Sequence, residues 1–387
     1  MLSNLVDKPY STLLGVLLLF FYPFCAYFLQ RHFSRKLILN LPADPSTAVE
    51  ELWRRKSEIK FSLLMASIPF LLVSIVGALI LLYSFPEDNS GGWYFIGLCL
   101  FVLVVFLVNH LSGYESNKML RGDTWTKSQM LKLLLSVQLF FNTYSVSLIL
   151  SISVIAIVQS QMSHDAKFLV LQVLGAVILF VGSVFGLSKF AHRLIGYSRV
   201  DAPDIVENFD IMCDGVGINK PKLLALDTLG GNLAFGFALS NAIVVSNYLL
   251  RSLSLTEMRA LLAHELAHIV LGHMRKRAIF FGITGLLIVS SVALATSLLP
   301  SVGGFRILGY SIIVWYLALK LSQSIFRQQE YAADKYAADL IGDATQLSAM
   351  LEKLHLLAFL PKGEAEGTPK THPTMDDRAS ALRQDSD

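Results

Sequence analysis

His264, Glu265 and His268 have the types and spacing to do chemistry, in the run His264-Glu265-Leu266-Ala267-His268. On a helix, residues four apart share one face, so both imidazoles can grip a single metal ion. The glutamate between them stands where a water-activating base is needed. Two neutral histidines leave a zinc ion one further protein ligand to find and an open position for water. The reaction implied is metal-assisted hydrolysis of an amide. The competing reading is a solvated helix carrying two unrelated histidines, so the surroundings decide.

Thr256, Glu257, Met258 and Arg259, followed by Ala260-Leu261-Leu262-Ala263, predict an N-capped helix start with an acidic first turn and strong helix formers after it. The missing ligand is then expected on a second helix. Glu330 is the best candidate, in Gln329-Glu330-Tyr331-Ala332-Ala333-Asp334. Asp334 lies four residues further along the same face, where a carboxylate can accept a hydrogen bond from a ligating histidine and fix its tautomer. The plain alternative is an exposed acidic helix. His273 competes for the third place, but proteases that take three histidines from one motif put Gly three and His six residues after the second ligand. Here those positions hold Leu271 and Met274, so His273 is read as an interfacial residue or a partner of a ligand.

These helices must be carried by a membrane protein. Of 387 residues, 54% are hydrophobic and 16% charged, against roughly 25% charged in an average soluble domain. Apolar runs long enough to span hydrocarbon lie at Tyr10 to Leu29, Phe61 to Tyr83, Trp93 to Leu111, Leu131 to Val158, Phe168 to Phe190, Ala278 to Leu299 and Ile307 to Leu321. The fourth contains Gln138 and Asn142, and the last is short. The first has no small-residue cleavage site and is read as a retained span. The organisation expected is residues 1–195 with five spans, 196–277 with the metal motif, 278–321 with two spans, and 322–387 with the third ligand.

Loops rich in Lys and Arg stay cytoplasmic. Arg31, Arg35, Lys36, Arg54, Arg55 and Lys56 follow the first run and Lys118, Arg121, Lys127 and Lys132 the third, while 85–92, 159–167 and 300–306 carry little positive charge. The motif region, flanked by Lys189, Arg193, Arg275, Lys276 and Arg277, is therefore expected inside, with an external N-terminus. The net charge of +3 is largely accounted for by these loops and argues for neither nucleic acid nor a strongly acidic partner, and no nucleic-acid motif is visible. Cys25, Cys99 and Cys213 are scattered and suggest neither a disulfide framework nor a cysteine metal site.

Within the polar segments, Asp204 to Val216 reads as helix, Lys222 to Leu226 as strand, and Ala242 to Ser246 as a β-branched strand after a Gly230-Gly231-Asn232 turn. Helical patterns follow at Phe326 to Ile341 and Ala344 to Phe359, and Pro361 to Thr374 reads as a surface loop.

Together these blocks resemble the membrane-embedded zinc peptidases that include the type I CaaX prenyl proteases and the HtpX heat-shock proteases. Asn232-Leu233-Ala234-Phe235-Gly236 with Ala242, Ile243, Val244 and Val245 resembles the family's turn and substrate-binding edge strand. His264 to His268 resembles its metal motif, Glu330 with Asp334 its third-ligand helix, and Thr371-His372-Pro373 with Arg378 its closing motif. Leu233 departs from the family's Asn-Ala-Phe wording after Asn232.

The resemblance implies a mainly α, multi-pass membrane protein of about seven spans with a small α+β gluzincin-type catalytic domain. One zinc ion per subunit would sit on His264, His268 and Glu330, with Glu265 as proton acceptor and donor. His372 would donate to the developing oxyanion, and Asp334 and Arg378 would support the site. A peptide or protein substrate at the membrane surface would pair beside Ala242 to Ser246. His268 lies about ten residues before the sixth run, within roughly 15 Å of the bilayer along a continuous helix. The function expected is proteolysis of membrane-associated or misfolded proteins, in a bacterial inner membrane or the endoplasmic reticulum membrane. Processing of prenylated peptides and an inactive scaffold or transporter stay open as alternatives.

Overall fold

The computed structural model describes residues 8–59, 104–105, 107–108, 110–159, 166–298, 304–363 and 372–384. The first helix, α1 (Lys8–Ile38), ends on Arg35 and Lys36, where positive charge complements the helix dipole. A helix over residues 45–59 follows, its start fixed by Asp44 Oδ2, which accepts from Thr47 N–H at 2.9 Å. Next come α2 (Tyr114–Arg121), α3 (Lys127–Phe141), α4 (Thr143–Gln159) and α5 (Ala166–Leu194).

The catalytic segment then runs β1 (Tyr197–Arg199), α6 (Pro203–Val216), β2 (Lys222–Leu226), β3 (Gly236–Ala238), β4 (Ala242–Ser246), α7 (Asn247–Ser252) and α8 (Leu255–Val270). It is followed by α9 (His273–Leu298), α10 (Gly304–Ile341), α11 (Ala344–Leu357) and α12 (Met375–Gln384). The molecule is mainly helical, with one small mixed sheet.

Among the described residues, three helical stretches are long and apolar enough to cross a membrane: Leu14–Ile38, Val173–Ala191 and His273–Ala295. Large apolar side chains such as Phe24, Ile178, Phe185 and Leu287 point outward from them, as lipid-facing positions should. The expected spans Phe61 to Tyr83 and most of Trp93 to Leu111 fall outside the described residues. The fourth expected run is not one straight span: α3 and α4 meet at a 73° bend, and count as a fourth candidate only when taken together. Its polar residues explain the bend, because Asn142 Nδ2 donates to Gln138 O and Thr143 Oγ1 to Leu139 O, each at 2.9 Å. Thr143 Oγ1 thus takes up a carbonyl at the break, while Asn142 Nδ2 adds to the bond that Asn142 N–H makes to Gln138 O.

The seventh expected run forms the N-terminal half of α10, which continues unbroken to Ile341. The expected boundaries at 277/278 and 321/322 therefore fall inside α9 and α10, and these two helices run from the apolar layer straight into the catalytic segment. Leu148, Phe180, Val289, Val292 and Trp315 knit α4, α5, α9 and α10 together. Gly285 allows the contact, since a Cβ there would lie 2.2 Å from Phe180 Cζ.

The sheet order is β1-β2-β4-β3, with β2 and β4 parallel and both outer pairs antiparallel. All five residues of β4 are buried, which is what a β-branched central strand covered on both faces looks like. One face packs on α8, where Leu261, Leu262 and Leu266 join Ile243, Val245, Leu347 and Met350 in the main core.

Candidate metal centre

The motif helix starts where its sequence can cap it. Ser254 Oγ accepts from Glu257 N–H at 3.3 Å and Glu257 Oε2 accepts from Ser254 N–H at 2.7 Å, a reciprocal box two residues ahead of the expected Thr256. From Ala260 to His268 the helix is buried, so its histidines cannot swing into solvent.

His264 and His268 present their Nε2 atoms 3.3 Å apart. Glu330, on α10, brings Oε2 to 3.6 Å from His264 Nε2 and Oε1 to 3.6 Å from His268 Nε2. These ligand atoms all lie within 4.8 Å of one another. Two imidazole nitrogens and one carboxylate oxygen are the donor set of a catalytic zinc site with an open position. A neutral ring that ligates through Nε2 keeps its proton on Nδ1, and each Nδ1 faces a polar atom. His264 Nδ1 lies 2.9 Å from Asp334 Oδ1, and His268 Nδ1 lies 2.9 Å from His273 Nδ1. The donor set therefore fits zinc, and His264, His268 and Glu330 are its site.

Asp334 is held in turn by Arg378 of α12, whose Nε and Nη2 each donate to it at 2.6 Å. His372 Nδ1 stands 3.1 Å from Glu330 Oε2, with its side chain 56% exposed towards the open side. Glu265 is buried beside the ligands. Burial, reinforced by the charge on Glu330, pushes its carboxyl above the ordinary 4.5. Asp334 goes the other way: burial opposes its charge, but the Arg378 guanidinium overcomes that and holds it at about 2. Glu330 is also kept well below its ordinary value, its burial outweighed by His264 and His372. Two carboxylates pinned as anions around a third that is raised is the separation an acid–base site needs.

The structure brings together His264, Glu265, His268, Glu330, Asp334, His372 and Arg378. It does not place Ala242, Ile243, Val244 and Val245 at a sheet edge: β4 lies between β2 and β3, and the edge belongs to β3. β3 has only three residues, and Gly236-Phe237-Ala238 carries no clear alternation. Its Gly236 runs beside the site, where a Cβ would sit 3.6 Å from Glu265 Oε1.

Asn232 is likewise turned away from the expected role. Its Nδ2 donates to Arg121 O at 2.6 Å and its N–H to Asp123 Oδ1 at 2.7 Å. The amide ties the turn before β3 to the loop between α2 and α3. Gly231 must be glycine for the same contact, because a Cβ would meet the Trp125 ring at 2.3 Å.

Arg277 escaped the sequence reading, which took it for a topological charge. Its Nη2 donates to Glu330 Oε1 at 3.1 Å and its Nε to Gln329 Oε1 at 2.7 Å, with the guanidinium over the Phe326 ring. The available signal was its place one turn after His273 on α9.

Comparison with known proteins agrees with this geometry. Residues 212–386 match the family model described as Peptidase family M48. Protease HtpX of Xylella fastidiosa is 28% identical over 253 residues, covering 55% of this chain and 86% of that protein. Protease HtpX of Stenotrophomonas maltophilia is 29% identical over 289 residues, covering 65% of this chain and 98% of that protein. The crystal structure of S. mikatae Ste24p superposes with a TM-score of 0.63 at 14% identity, over 96% of this chain and 98% of that one, and so shares the fold. With the His264, His268 and Glu330 cluster in place, residues 212–386 are similar to peptidase family M48, and the chain is a multi-pass membrane protein carrying the zinc site of a metallopeptidase.

Proposed function

We propose that this protein is an endopeptidase that cuts membrane-associated or misfolded proteins at the membrane surface. The carrying observation is continuity: His268 and the start of the candidate span at His273 are separated only by the turn at Gly272. Glu330 sits on the helix that begins at Gly304. A substrate reaching this site must come close to the bilayer.

The substrate backbone adds as a strand to β3, whose outer edge is unpaired among the described residues and runs past Glu265. Such pairing uses main-chain hydrogen bonds and demands little of the sequence. Zinc supplies Lewis acidity and a water of lowered pKa. Glu265, raised by burial, takes the proton from the attacking water and passes it to the leaving amine. His372 donates to the oxyanion as it forms. Asp334 fixes the His264 ring, and Arg378 keeps Asp334 ionised and in place. The basic loops favour a cytoplasmic catalytic segment, in a bacterial inner membrane or the endoplasmic reticulum membrane.

The resemblance of the motif blocks to the type I CaaX prenyl proteases keeps a second reading open, in which a prenylated C-terminal peptide is the substrate. Cleavage of matched peptides with and without a farnesyl group, beside an unfolded membrane protein, separates the two. A rate independent of the lipid, with cleavage of the unfolded protein, is expected; cleavage confined to the lipidated peptide would overturn the first reading.

A further inference from the structure

Phe359 adopts φ of +55°, in the left-handed region where glycine is the usual residue past a helix end. It terminates α11: its N–H reaches Leu356 O at 3.1 Å and the Leu360 N–H reaches His355 O at 3.0 Å. A bulky side chain stays in such a conformation only where its surroundings over-determine it. Here two segments of the N-terminal membrane region do so. Trp53, buried on the helix over residues 45–59, donates Nε1–H to Phe359 O at 2.8 Å. The Arg121 guanidinium lies 5.8 Å from the centre of the Phe359 ring, within cation–π reach.

The fastening continues along the chain. The Lys362 N–H donates to Glu50 Oε1 at 3.0 Å, nearly one turn before Trp53 on the same helix. Lys362 O accepts from Asp376 N–H at 3.4 Å. The exit from α11 and the entry to α12 are thus tied to each other and to the helix over residues 45–59. His372 lies in the connection between them, with Nδ1 at 3.1 Å from Glu330. Neither Trp53 nor Phe359 belongs to the main core around α8, so their contacts act on the segment from Phe359 to Lys362 and, through Lys362 O, on Asp376, rather than on the motif helix.

We propose that Trp53 and Phe359, assisted by Arg121, form a clamp through which the N-terminal membrane region positions His372 over the metal centre. They are positioning residues and touch neither metal nor substrate. The same junction reaches the other wall of the site, since Arg121 O accepts from Asn232 ahead of β3. This inference rests on the reading of His372 as the oxyanion donor. A donor displaced by a fraction of an ångström loses its effect on the transition state while ground-state binding persists.

Two variants of the full-length protein in detergent test it, with a quenched-fluorescent peptide as substrate. Trp53→Phe keeps the ring and removes the Nε1–H donor. Phe359→Gly relieves the left-handed strain and removes the ring beneath Arg121. Each is expected to lower kcat about tenfold with KM within about twofold and with bound zinc unchanged. Phe359→Gly should melt no lower than the parent, which separates clamp from fold. In a His372→Ala background neither variant should cost more. Unchanged kcat in both variants beside an impaired His372→Ala would overturn the clamp and leave the donor role standing. The same loss in the His372→Ala background would show that the residues act elsewhere and also overturn it. Full activity of His372→Ala alone would remove the donor role, and the clamp with it.

Discussion

The metal centre and the proposed substrate edge, β3, are built in opposite ways. His264, His268 and Glu330 are buried side chains on two helices, and their supports Asp334 and His273 lie within a turn or two of the ligands. The edge is a three-residue strand whose lead-in turn is held by Arg121 and Asp123, from a distant part of the chain. The chemistry is specified locally, while the edge proposed to meet the substrate is set by the N-terminal region. A change at the centre should therefore abolish reaction or metal outright, and a change at the edge should adjust it.

The largest effect is expected at Glu265. Glu265→Gln keeps the shape and removes the base, so kcat should fall by about a factor of 10² to 10⁴ with zinc retained. Single-turnover assays beside metal analysis check this, and a variant that still turns over at a tenth of the parent rate would assign the proton transfer elsewhere. Asp334→Asn should loosen zinc by about tenfold to a hundredfold through the freed His264 ring, read by competition with a fluorescent chelator. Equal affinity would mean that Asp334 does not orient the ligand.

The pH dependence sharpens the contrast within the centre. In the proposed mechanism Glu265 works as an anion, and its carboxyl is raised above 4.5, so kcat/KM should fall as the pH drops through that raised value. Glu330 and Asp334 are held below their ordinary values and stay ionised across this limb. An acid limb centred at or below 4.5 in a pH–rate profile would remove Glu265 as the titrating base. The smallest effect belongs to the edge: Asn232→Ala removes the side-chain tie to Arg121 O and should cost about 1 kcal/mol of stability, with zinc and kcat nearly unchanged. A large loss of zinc in that variant would erase the distinction between the two regions.

The same division explains what could be read from the sequence. The motif and the third ligand were legible because helical spacing puts His264 with His268, and Glu330 with Asp334, on common faces whatever surrounds them. The strand at Ala242 to Ser246 was legible as a strand, but its β-branched composition reflects burial on both faces and so marked the centre of the sheet, not its edge. β3 is too short for its pattern to register. Asn232 has partners about a hundred residues away, and no local signal names them. The bend at Asn142 depends on side chains capping backbone carbonyls, a choice that hydropathy cannot see. Arg277 looked like a topological charge because its partner, Glu330, is brought to it only by the packing of α9 on α10.

The account rests most directly on His264, His268 and Glu330 holding a catalytic zinc ion. Bound zinc and peptide cleavage should be measured together on the purified protein and on Glu330→Ala. The account predicts one zinc per chain in the parent, and metal and cleavage lost together in the variant. Equal zinc content and equal cleavage in both proteins would contradict it.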